Sequence, residues 1–437
     1  MNSARRVVVT GLGIVSPLGV TLETYWRNLL QGESGIRPIE RFDVEAFPTK
    51  IAGLVHDDWN PEVYIDRKNL RHLDPFSQYG HVAAHDAISD AGFLKPNDNG
   101  APPAEWEDHQ RFIDPGKVDP VRFGAIVGSG IGGLSEIEKQ MQILMEKGAR
   151  RVSPFLIPAI MLNACSGGVA IRYGLKGPNY STASACAAGA HAIATAFRHI
   201  KYGDAEVMLA GATEATVTPL ALAGFCQARA MSTRNDEPQR ASRPFDKDRD
   251  GFIMGEGAGL IVLEEYEHAK KRGARIYCEM VGTGATDDAT HITAPDPEGD
   301  GARRAMEMAI AESGLDKEAF AYINAHGTST LLNDKMETQA VKSVFGEHAK
   351  GGKLCVSSTK SMTGHLLGAS GGIEFVATAL SIHNQKVHPT ANLEEPGEGC
   401  DLDYIQEGAR DWDVPAALSN SFGFGGHNAC LALKRYE

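Results

Sequence analysis

Short runs of apolar, β-favouring residues alternate with longer alanine-rich segments along this 437-residue chain. Continuous apolar runs of this kind are typical of strands that are buried on both faces. They predict strands at Arg6–Thr10, Gly124–Val127, Val207–Ala210, Gly259–Leu263, Tyr322–Asn324 and Ala429–Leu433. The segments between them predict helices over Gln78–Ala91, Ala187–Tyr202, Gly301–Ser313, Asp334–Phe345 and Gly371–Asn384. This alternation indicates an α/β fold with mostly parallel, internally buried sheets.

Two pairs of segments resemble each other and suggest two related halves. Gly124–Gly130 and Ala321–Gly327 are each a strand that leaves through small residues into a loop. Ser184–Ile200 and Thr363–Ile382 each join small residues at a turn to an alanine-rich helix without a clear polar face. Because a helix that is apolar on most sides is buried, the two helices are expected to pack against each other in the centre.

The boundary between the halves is expected near Glu264–Arg275, a charged stretch that favours a helix. We therefore predict an N-terminal half over residues 1–264 and a C-terminal half over residues 265–437. Within the first half, Lys95–Pro120 contains several prolines, many charges and the turn sequence Asn97-Asp98-Asn99-Gly100. This composition predicts a surface insertion.

Composition and charge exclude several classes of protein. The net charge of −13 argues against a general nucleic-acid-binding protein, which needs a basic surface. The seven cysteines contain no Cys-x-x-Cys pair, which disfavours a zinc ribbon or a disulfide framework and fits a reducing compartment. The sequence has no apolar signal core before Val7 and no run long enough to span a membrane. We expect a cytoplasmic protein that binds neither nucleic acid nor membrane.

The first candidate for chemistry is Cys186, in the run Ser184-Ala185-Cys186-Ala187-Ala188-Gly189 before a predicted helix. Unpaired backbone N–H groups and the helix dipole favour a thiolate at such a position, with a pKa well below the free value of about 8.5. The alternative is a buried structural cysteine, which is the commoner state of a lone cysteine.

Two further segments carry histidines. His326 follows a predicted strand, at the strand end where α/β proteins usually place their sites, and Asp334 is a candidate helix N-cap or orienting carboxylate. Lys360 and His365 lie in one loop of small residues. Glu374 lies in the following alanine-rich helix, where an unpaired buried carboxylate would be costly and Lys360 would be a suitable partner. The alternatives are a loop histidine bonded to the backbone and a solvated surface lysine.

The last segment, Ser419–Asn428, surrounds two phenylalanines with glycines, which suggests a backbone that approaches a ligand closely and a ring that can swing. His427 is a further imidazole that is better interpreted as a loop residue. Gly11-Leu12-Gly13 lacks the third glycine of a dinucleotide fingerprint, so a nicotinamide site is disfavoured.

One thiol at a helix start and two histidines on separate loops form the set that thioester exchange needs. The thiolate can attack an acyl thioester and store the acyl group covalently. Backbone N–H groups of Cys186 and Phe424 are candidates to hold the oxyanion, and the histidine N–H groups could stabilise an enolate of a second thioester. This chemistry requires neither a redox cofactor nor a metal.

These four separated motifs, in this order, resemble those of the β-ketoacyl-acyl-carrier-protein synthases, particularly the type II enzymes. The resemblance extends from Val7 to Leu431. It implies a thiolase-like fold, in which duplicated halves form a five-layer αβαβα arrangement, and a homodimer. It also implies acyl carrier protein, loaded with acyl or malonyl groups, as the partner, whose phosphopantetheine arm makes a separate cofactor unnecessary.

The resemblance assigns roles residue by residue. Cys186 matches the nucleophile, His326 and His365 the two catalytic histidines, and Lys360 a lysine that organises the site. Asp334 and Glu374 match supporting acids, and Phe424 matches a gating residue whose N–H serves the oxyanion hole. Further matches are Ile131 and Phe225 at the acyl pocket and Arg67, Lys68, Arg71 and Arg229 at the carrier docking site. For the basic residues the alternative is an ordinary charged surface.

The expected activity is elongation of acyl chains by decarboxylative Claisen condensation in fatty acid biosynthesis. Three alternatives stay open at this point. A thiolase would need a second active-site cysteine, and neither histidine segment contains one. A non-catalytic partner subunit would typically lack the nucleophile. A ketosynthase of a secondary-metabolite pathway can carry identical motifs.

Overall fold

The computed structural model describes residues 5–56, 59–94 and 113–436. The strands in these ranges are β1 Val7–Val15, β2 Ile36–Pro38, β3 Ile51–Gly53, β4 Phe123–Gly128, β5 Asn179–Tyr180, β6 Val207–Glu214, β7 Gly257–Glu265, β8 Cys278–Asp287, β9 Phe320–Asn324, β10 Cys355–Ser357, β11 Lys386–Val387, β12 Arg410–Asp411, β13 Ala416–Gly423 and β14 His427–Lys434. The α-helices are α1 Leu22–Gln31, α2 Arg67–Leu70, α3 Pro75–Asp90, α4 Leu134–Lys147, α5 Leu156–Ile160, α6 Ala164–Tyr173, α7 Ala188–Lys201, α8 Pro219–Gln227, α9 Tyr266–Lys271, α10 Asp300–Ser313, α11 Leu331–Phe345, α12 Glu347–Lys350, α13 Lys360–Thr363 and α14 Ser370–Asn384. Every predicted strand and helix therefore exists, with bounds that differ by a few residues.

The main sheet has ten strands in the order β10-β9-β13-β14-β8-β1-β7-β6-β4-β5. Its two sets of five strands have the same pattern of directions. In one set β4 is parallel to β5 and β6, and β7 is antiparallel to β6 and β1. In the other set β9 is parallel to β10 and β13, and β14 is antiparallel to β13 and β8. The two sets meet through a short antiparallel pairing of β1 with β8, so the structure shows the duplication that the sequence suggested.

The prediction of mostly parallel sheets is wrong, because the sheet is mixed. Five of the pairings between its strands are antiparallel: β1–β7, β1–β8, β6–β7, β8–β14 and β13–β14. A strand covered on both faces reads as a continuous apolar run whichever way it points. The hydrophobic pattern therefore located these strands but carried no information on their direction.

Helices form three layers around the two sets of strands. α3 covers β1 and β7 on one outer face, and α10 covers β8 and β14 on the other. α7 and α14 pack against each other and against strands of both sets, so they form the middle layer. This is the predicted five-layer arrangement with two buried central helices. The central core combines residues of both helices, such as Ile193, Phe197, Phe375 and Val376.

The predicted surface insertion Lys95–Pro120 falls largely outside the described residues, since residues 95–112 are not described. Of its remaining part, Ile113 and Val118 are buried in the core that covers the outer face of the first strand set. That end of the segment is therefore anchored to the fold. The division at residues 264 and 265 stays a prediction.

Candidate active site

Cys186 lies just before α7, as predicted, at the end of a sharply turned segment. Ala185 has a φ of 48°, in the left-handed region that a residue with a side chain seldom adopts. Cys186 itself is 8% exposed and lines a cavity of about 560 Å³. The strained turn thus brings the sulfur to the wall of a cavity, which is the position that an acyl-accepting thiol requires.

The predicted low pKa of Cys186 is wrong. Burial raises the pKa of this thiol to about 11, and the carboxylate of Glu214 acts in the same direction. The Lys360 ammonium and the backbone N–H of Phe424 lower the pKa but do not offset the burial. Sequence reasoning included the helix terminus and missed the desolvation, which disfavours any thiolate in a closed site. In the resting protein the sulfur is therefore protonated at neutral pH.

The cavity brings together most of the predicted site residues, which come from both strand sets. The predicted residues on its wall are Ile131, Cys186, Phe225, Arg229, His326, His365 and Phe424. Lys360, Asp334 and Glu374 lie behind this wall and are buried. The three basic residues on or just after α2 are not part of the lining. The cavity therefore joins the candidate nucleophile to both candidate histidines.

His326 is held from behind by Lys360. The Lys360 ammonium donates to Nδ1 of His326 at 3.2 Å and to its carbonyl oxygen at 2.7 Å. It also forms an ion pair with Glu374, and both side chains are almost completely buried. The predicted pairing of Lys360 with Glu374 is confirmed. A lysine at this position has lost its water and gained three acceptors, so its place is fixed.

His365 is held by a hydroxyl and a backbone group instead of a lysine. Nδ1 of His365 lies 2.8 Å from Oγ of Ser370 and accepts the backbone N–H of Leu367 at 3.2 Å. Its ring meets that of His326 edge-on, with 5.3 Å between the ring centroids. The two imidazoles are therefore neighbours on one wall of the cavity.

Both imidazoles are neutral and have the same tautomer. Burial, with the positive charge of Lys360, lowers the pKa of His326 and of His365 well below the usual value. In each ring Nδ1 accepts from a group that can only donate, namely an ammonium or a backbone N–H. The proton of each neutral ring therefore resides on Nε2. Two N–H donors of this kind can stabilise negative charge on a carbonyl oxygen.

Of the two roles predicted for Asp334, the contacts support the orienting carboxylate and exclude the helix N-cap. α11 begins at Leu331 after Thr330, so Asp334 is not its N-cap. Its carboxylate accepts the backbone N–H of Phe245 at 2.8 Å and lies 3.5 Å from Arg249. It thereby fixes the loop that packs behind the His326 segment, with no contact to Lys360 or to the histidine rings among its recorded partners.

Glu337, one turn further along α11, supports His326 directly, and sequence reasoning missed it. Its two oxygens accept the backbone N–H groups of His326 and Gly327, each at 2.8 Å, and one also accepts the amide of Asn420 at 3.2 Å. Burial raises the pKa of Glu337 to about 7. Its signal in the sequence was an acid on the same helix face as Asp334, three residues later.

Phe424 lies in the turn between β13 and β14, against the segment of the nucleophile. A Cβ on the preceding Gly423 would lie 3.1 Å from the backbone nitrogen of Cys186, so the turn and the nucleophile segment are in contact. The backbone N–H groups of Phe424 and Cys186 both interact with the sulfur. Phe424 is 37% exposed and lines the cavity. This places two N–H donors where an oxyanion on a sulfur-bound carbon would form.

Phe225 and Arg229 both lie at the cavity, whereas the basic residues around α2 lie outside its lining. Phe225 packs edge-on against Phe252, which in turn packs on His365. Arg229 lies on the cavity wall and has a left-handed φ of 53°. The basic side chains Arg67, Lys68 and Arg71 lie on or just after α2. His427 is the first residue of β14, so its interpretation as a loop residue is wrong. Its ring lies 3.5 Å from Asp287 and is absent from the cavity lining.

Comparisons with known proteins agree with this geometry. Residues 4–269 match the profile of the "Beta-ketoacyl synthase, N-terminal domain", and residues 277–394 match that of the "Beta-ketoacyl synthase, C-terminal domain". Among solved structures, a β-ketoacyl synthase from Burkholderia phymatum is 36% identical with a TM-score of 0.85, covering 99% of this chain and 100% of that one. A type II polyketide ketosynthase, solved with its acyl carrier protein, is 34% identical with a TM-score of 0.87 and full coverage of both chains.

Relatives named 3-oxoacyl-(acyl-carrier-protein) synthase 2 are more similar in sequence. The protein of Synechocystis is 51% identical over 99% of both chains, and that of Coxiella burnetii is 49% identical over 99% of both. The protein of Staphylococcus aureus is 48% identical over the full length of both chains. The motifs, the fold and the comparisons agree, and the chain belongs to the β-ketoacyl synthase family.

Proposed function

We propose that this protein elongates acyl chains by two carbons through decarboxylative Claisen condensation with malonyl-carrier in fatty acid biosynthesis. One observation carries the proposal: a single cavity is lined by the sulfur of Cys186 and by both imidazoles, His326 and His365. The sulfur suits covalent storage of an acyl group, and the paired N–H donors suit stabilisation of an enolate.

In the first half-reaction, the sulfur of Cys186 attacks the carbonyl carbon of an acyl thioester on the carrier. A new carbon–sulfur bond forms, the bond to the carrier's sulfur breaks, and the thiol proton moves to the departing thiolate. The N–H groups of Cys186 and Phe424 hold the oxyanion of the tetrahedral intermediate. Since the resting thiol has a pKa of about 11, its deprotonation accompanies this exchange instead of preceding it.

In the second half-reaction, malonyl-carrier binds beside the two histidines. Loss of carbon dioxide leaves the electron pair on the carbon next to the thioester, as an enolate whose oxygen accepts from Nε2 of His326 and of His365. That carbon attacks the acyl group on Cys186, and the sulfur leaves and regains a proton. The neutral Nε2–H tautomer of both rings, fixed by Lys360 and by Leu367, is the form that this step requires.

The chemistry requires no redox change, and the phosphopantetheine arm belongs to the carrier, so no resident cofactor is proposed. All seven cysteines are free thiols, which supports the expected cytoplasmic location. Among the described residues no helix has the length and hydrophobicity to cross a membrane.

The sequence identities favour fatty acid synthesis over a secondary-metabolite pathway. The chain is 48–51% identical to the synthases named above and 34% identical to the polyketide ketosynthase. A non-catalytic partner subunit is disfavoured, because the sulfur and both imidazoles are present around one cavity. The thiolase alternative is disfavoured as well, since Cys186 is the one cysteine among the residues that line the cavity.

The partner in this reaction is an acyl carrier protein, and a structure neighbour was solved in complex with one. We assign its docking to the basic side chains of Arg67, Lys68 and Arg71 at α2, with Arg229 at the cavity. Arg67 is largely exposed and lies 3.7 Å from the acidic side chain of Glu62. Exposed cations of this kind can attract an acidic carrier even though the whole chain has a net charge of −13.

A second copy of this chain is the proposed partner at the free edge of the sheet. β5 is the last strand of the sheet and both of its residues are exposed. α6 contacts β5 and α5, and α5 contacts α4. α4 and α5 expose several large apolar side chains, among them Ile137, Met141, Met145 and Ile157. An open strand edge beside an apolar face is typical of a surface that another chain covers. Light scattering should give twice the mass of 46.8 kDa for one chain.

The activity is tested with purified protein, malonyl-carrier and a series of acyl-carriers of increasing length. We expect β-ketoacyl-carrier products two carbons longer than the substrate, together with release of carbon dioxide, and the rates across the series define the preferred length. Acyl transfer without any elongated product would contradict the proposed function.

A further inference from the structure

A buried carboxylate outside the cavity contacts two loops that form its wall. Glu214, the last residue of β6, is completely buried. One of its oxygens accepts hydrogen bonds from the hydroxyl of Ser129 at 2.9 Å and from the N–H of Ile131 at 3.2 Å. The other accepts the N–H groups of Gly130 at 2.7 Å and Gly368 at 3.0 Å. Glu214 therefore connects the loop after β4 with the loop after α13.

These contacts require the ionised carboxylate. The three backbone N–H groups can only donate, and the Ser129 hydroxyl already accepts the N–H of Gly132 at 3.0 Å, which leaves its proton for Glu214. A protonated carboxyl would point its own proton at one of these donors. Burial raises the pKa of Glu214, and the four donors oppose that rise. A charge is thus retained inside the protein by hydrogen bonds, and in the described part of the chain its hydrogen-bond partners include no cation.

The first loop carries a residue of the acyl pocket. Ile131 lines the cavity, and its backbone is bound to Glu214. A Cβ at Gly130 would lie 2.8 Å from the Glu214 carboxylate, so a glycine is needed for this approach. The position of the Ile131 side chain therefore follows from the position of the carboxylate.

The second loop carries the backbone group that fixes His365. Leu367 has a left-handed φ of 48° and donates its N–H to Nδ1 of His365. The next N–H along the chain, that of Gly368, is the one that Glu214 accepts. A Cβ at Gly368 would lie 2.3 Å from the nitrogen of Gly130, so the two loops touch at this point. The carboxylate thus holds a strained backbone in the conformation that sets the tautomer of His365.

We propose that Glu214 is a positioning residue that ties the acyl-pocket loop at Ile131 to the His365 loop, so that both half-reactions use one fixed geometry. The inference rests on the proposed condensation and deepens it. Residues that act through such outer contacts commonly change rates strongly, since small displacements of reacting groups are costly. The negative charge of Glu214 also raises the pKa of Cys186, which gives an independent readout.

The test compares Glu214→Gln with wild type and with Glu264→Gln. The amide has the same shape as the carboxylate but turns a donor towards at least one backbone N–H. Glu264 is an equally buried acid, bonded to Arg272 and His268, and is not part of the cavity lining. Its variant controls for loss of a buried charge as such. Melting temperature, condensation rate and the pH dependence of Cys186 alkylation by iodoacetamide are measured for all three proteins.

We expect Glu214→Gln to lower the condensation rate on the order of ten- to a hundredfold, while Glu264→Gln stays within about twofold of wild type at a similar loss of melting temperature. The alkylation profile of Glu214→Gln should move to lower pH, since a negative charge near the sulfur is gone. A Glu214→Gln rate equal to that of the control would overturn the inference, and so would a slow enzyme with an unshifted alkylation profile.

Failure of the proposed function and failure of the positioning role give different results. Wild type without any condensation would refute the proposed function, whereas active wild type with equally active Glu214→Gln refutes the positioning role alone. If Glu214→Gln does not fold, Ser129→Ala removes one hydrogen bond to the same carboxylate. That variant should change the ratio of rates between long and short acyl-carriers, and an unchanged ratio would count against the role of Glu214.

Discussion

The two central helices occupy equivalent places in the two halves of the fold, yet they serve the site differently. α7 begins just after Cys186 and presents the sulfur at its amino end. α14 is buried along almost its whole length and carries Glu374, which pairs with Lys360 behind His326. One half thus supplies the reacting atom, and the other supplies imidazoles and a buried charge pair that orients them.

This difference shows how a duplicated scaffold becomes asymmetric. One central helix begins beside the candidate nucleophile, and the other carries one member of a desolvated ion pair. The N-terminal half also supplies Ile131 and Phe225 at the pocket, while the C-terminal half supplies both histidines. Substitutions in each half should therefore impair a different step of the reaction.

The largest effect is expected from Lys360→Met, which leaves Glu374 buried without its partner. Loss of one member of a buried ion pair costs about 3–5 kcal/mol of unfolding free energy, and guanidinium denaturation measures it. Lys335→Met, at an exposed ion pair with Glu398, is the matched control and should cost about 1 kcal/mol or less.

The double variant Lys360→Met/Glu374→Leu sharpens this test. The double variant no longer contains the unpaired buried carboxylate, so it should be more stable than Lys360→Met alone. A double variant that loses the sum of both single effects would show that the pair is not coupled.

Replacing the histidines should separate the half-reactions. His326→Asn or His365→Asn removes one Nε2–H donor, and loss of one such donor costs about a hundred- to a thousandfold in rate. Condensation with malonyl-carrier should fall by that amount, while transfer of the acyl group to Cys186 continues. Intact-protein mass spectrometry follows the acyl adduct, and product analysis follows condensation. Equal loss of both activities would contradict the separation between the halves.

The sequence predicted the parts of the site that depend on local pattern. Cys186 before a helix and His326 after a strand follow from the order of small and apolar residues. The Lys360–Glu374 pair followed from energetics, because a carboxylate in an alanine-rich buried helix needs a cation. These positions could be predicted because burial is encoded in the residues that surround them.

The rest depended on contacts between segments that are distant in sequence. Burial raises the pKa of Cys186 in a cavity whose wall also includes Phe424, more than two hundred residues away in the sequence. Glu337 and Glu214 accept hydrogen bonds from backbone N–H groups. Almost every residue type has such a group, so these donors cannot be recognised from the sequence. Strand direction could not be predicted for a related reason, since strands buried on both faces have the same apolar pattern whether they are parallel or antiparallel.

The smallest effect is expected at the surface. Reversing charge with Lys68→Glu and Arg71→Glu should raise the KM for acyl-carrier several-fold and leave kcat unchanged, because exposed charges act mainly on encounter with the partner. The increase should shrink at high salt. Lys271→Glu, on the exposed side of α9, is the matched control. A KM that stays at the wild-type value in low salt would remove α2 from the docking site.

The claim that Cys186 receives the acyl group is tested most directly by weighing the intact protein after incubation with acyl-carrier. Wild type and Cys226→Ala, which loses a half-buried thiol outside the cavity lining, should each gain the mass of one acyl group. Cys186→Ala should fold normally and gain nothing, because alanine fills the space of the cysteine without a nucleophile. An acyl adduct on Cys186→Ala, or none on wild type, would contradict the account.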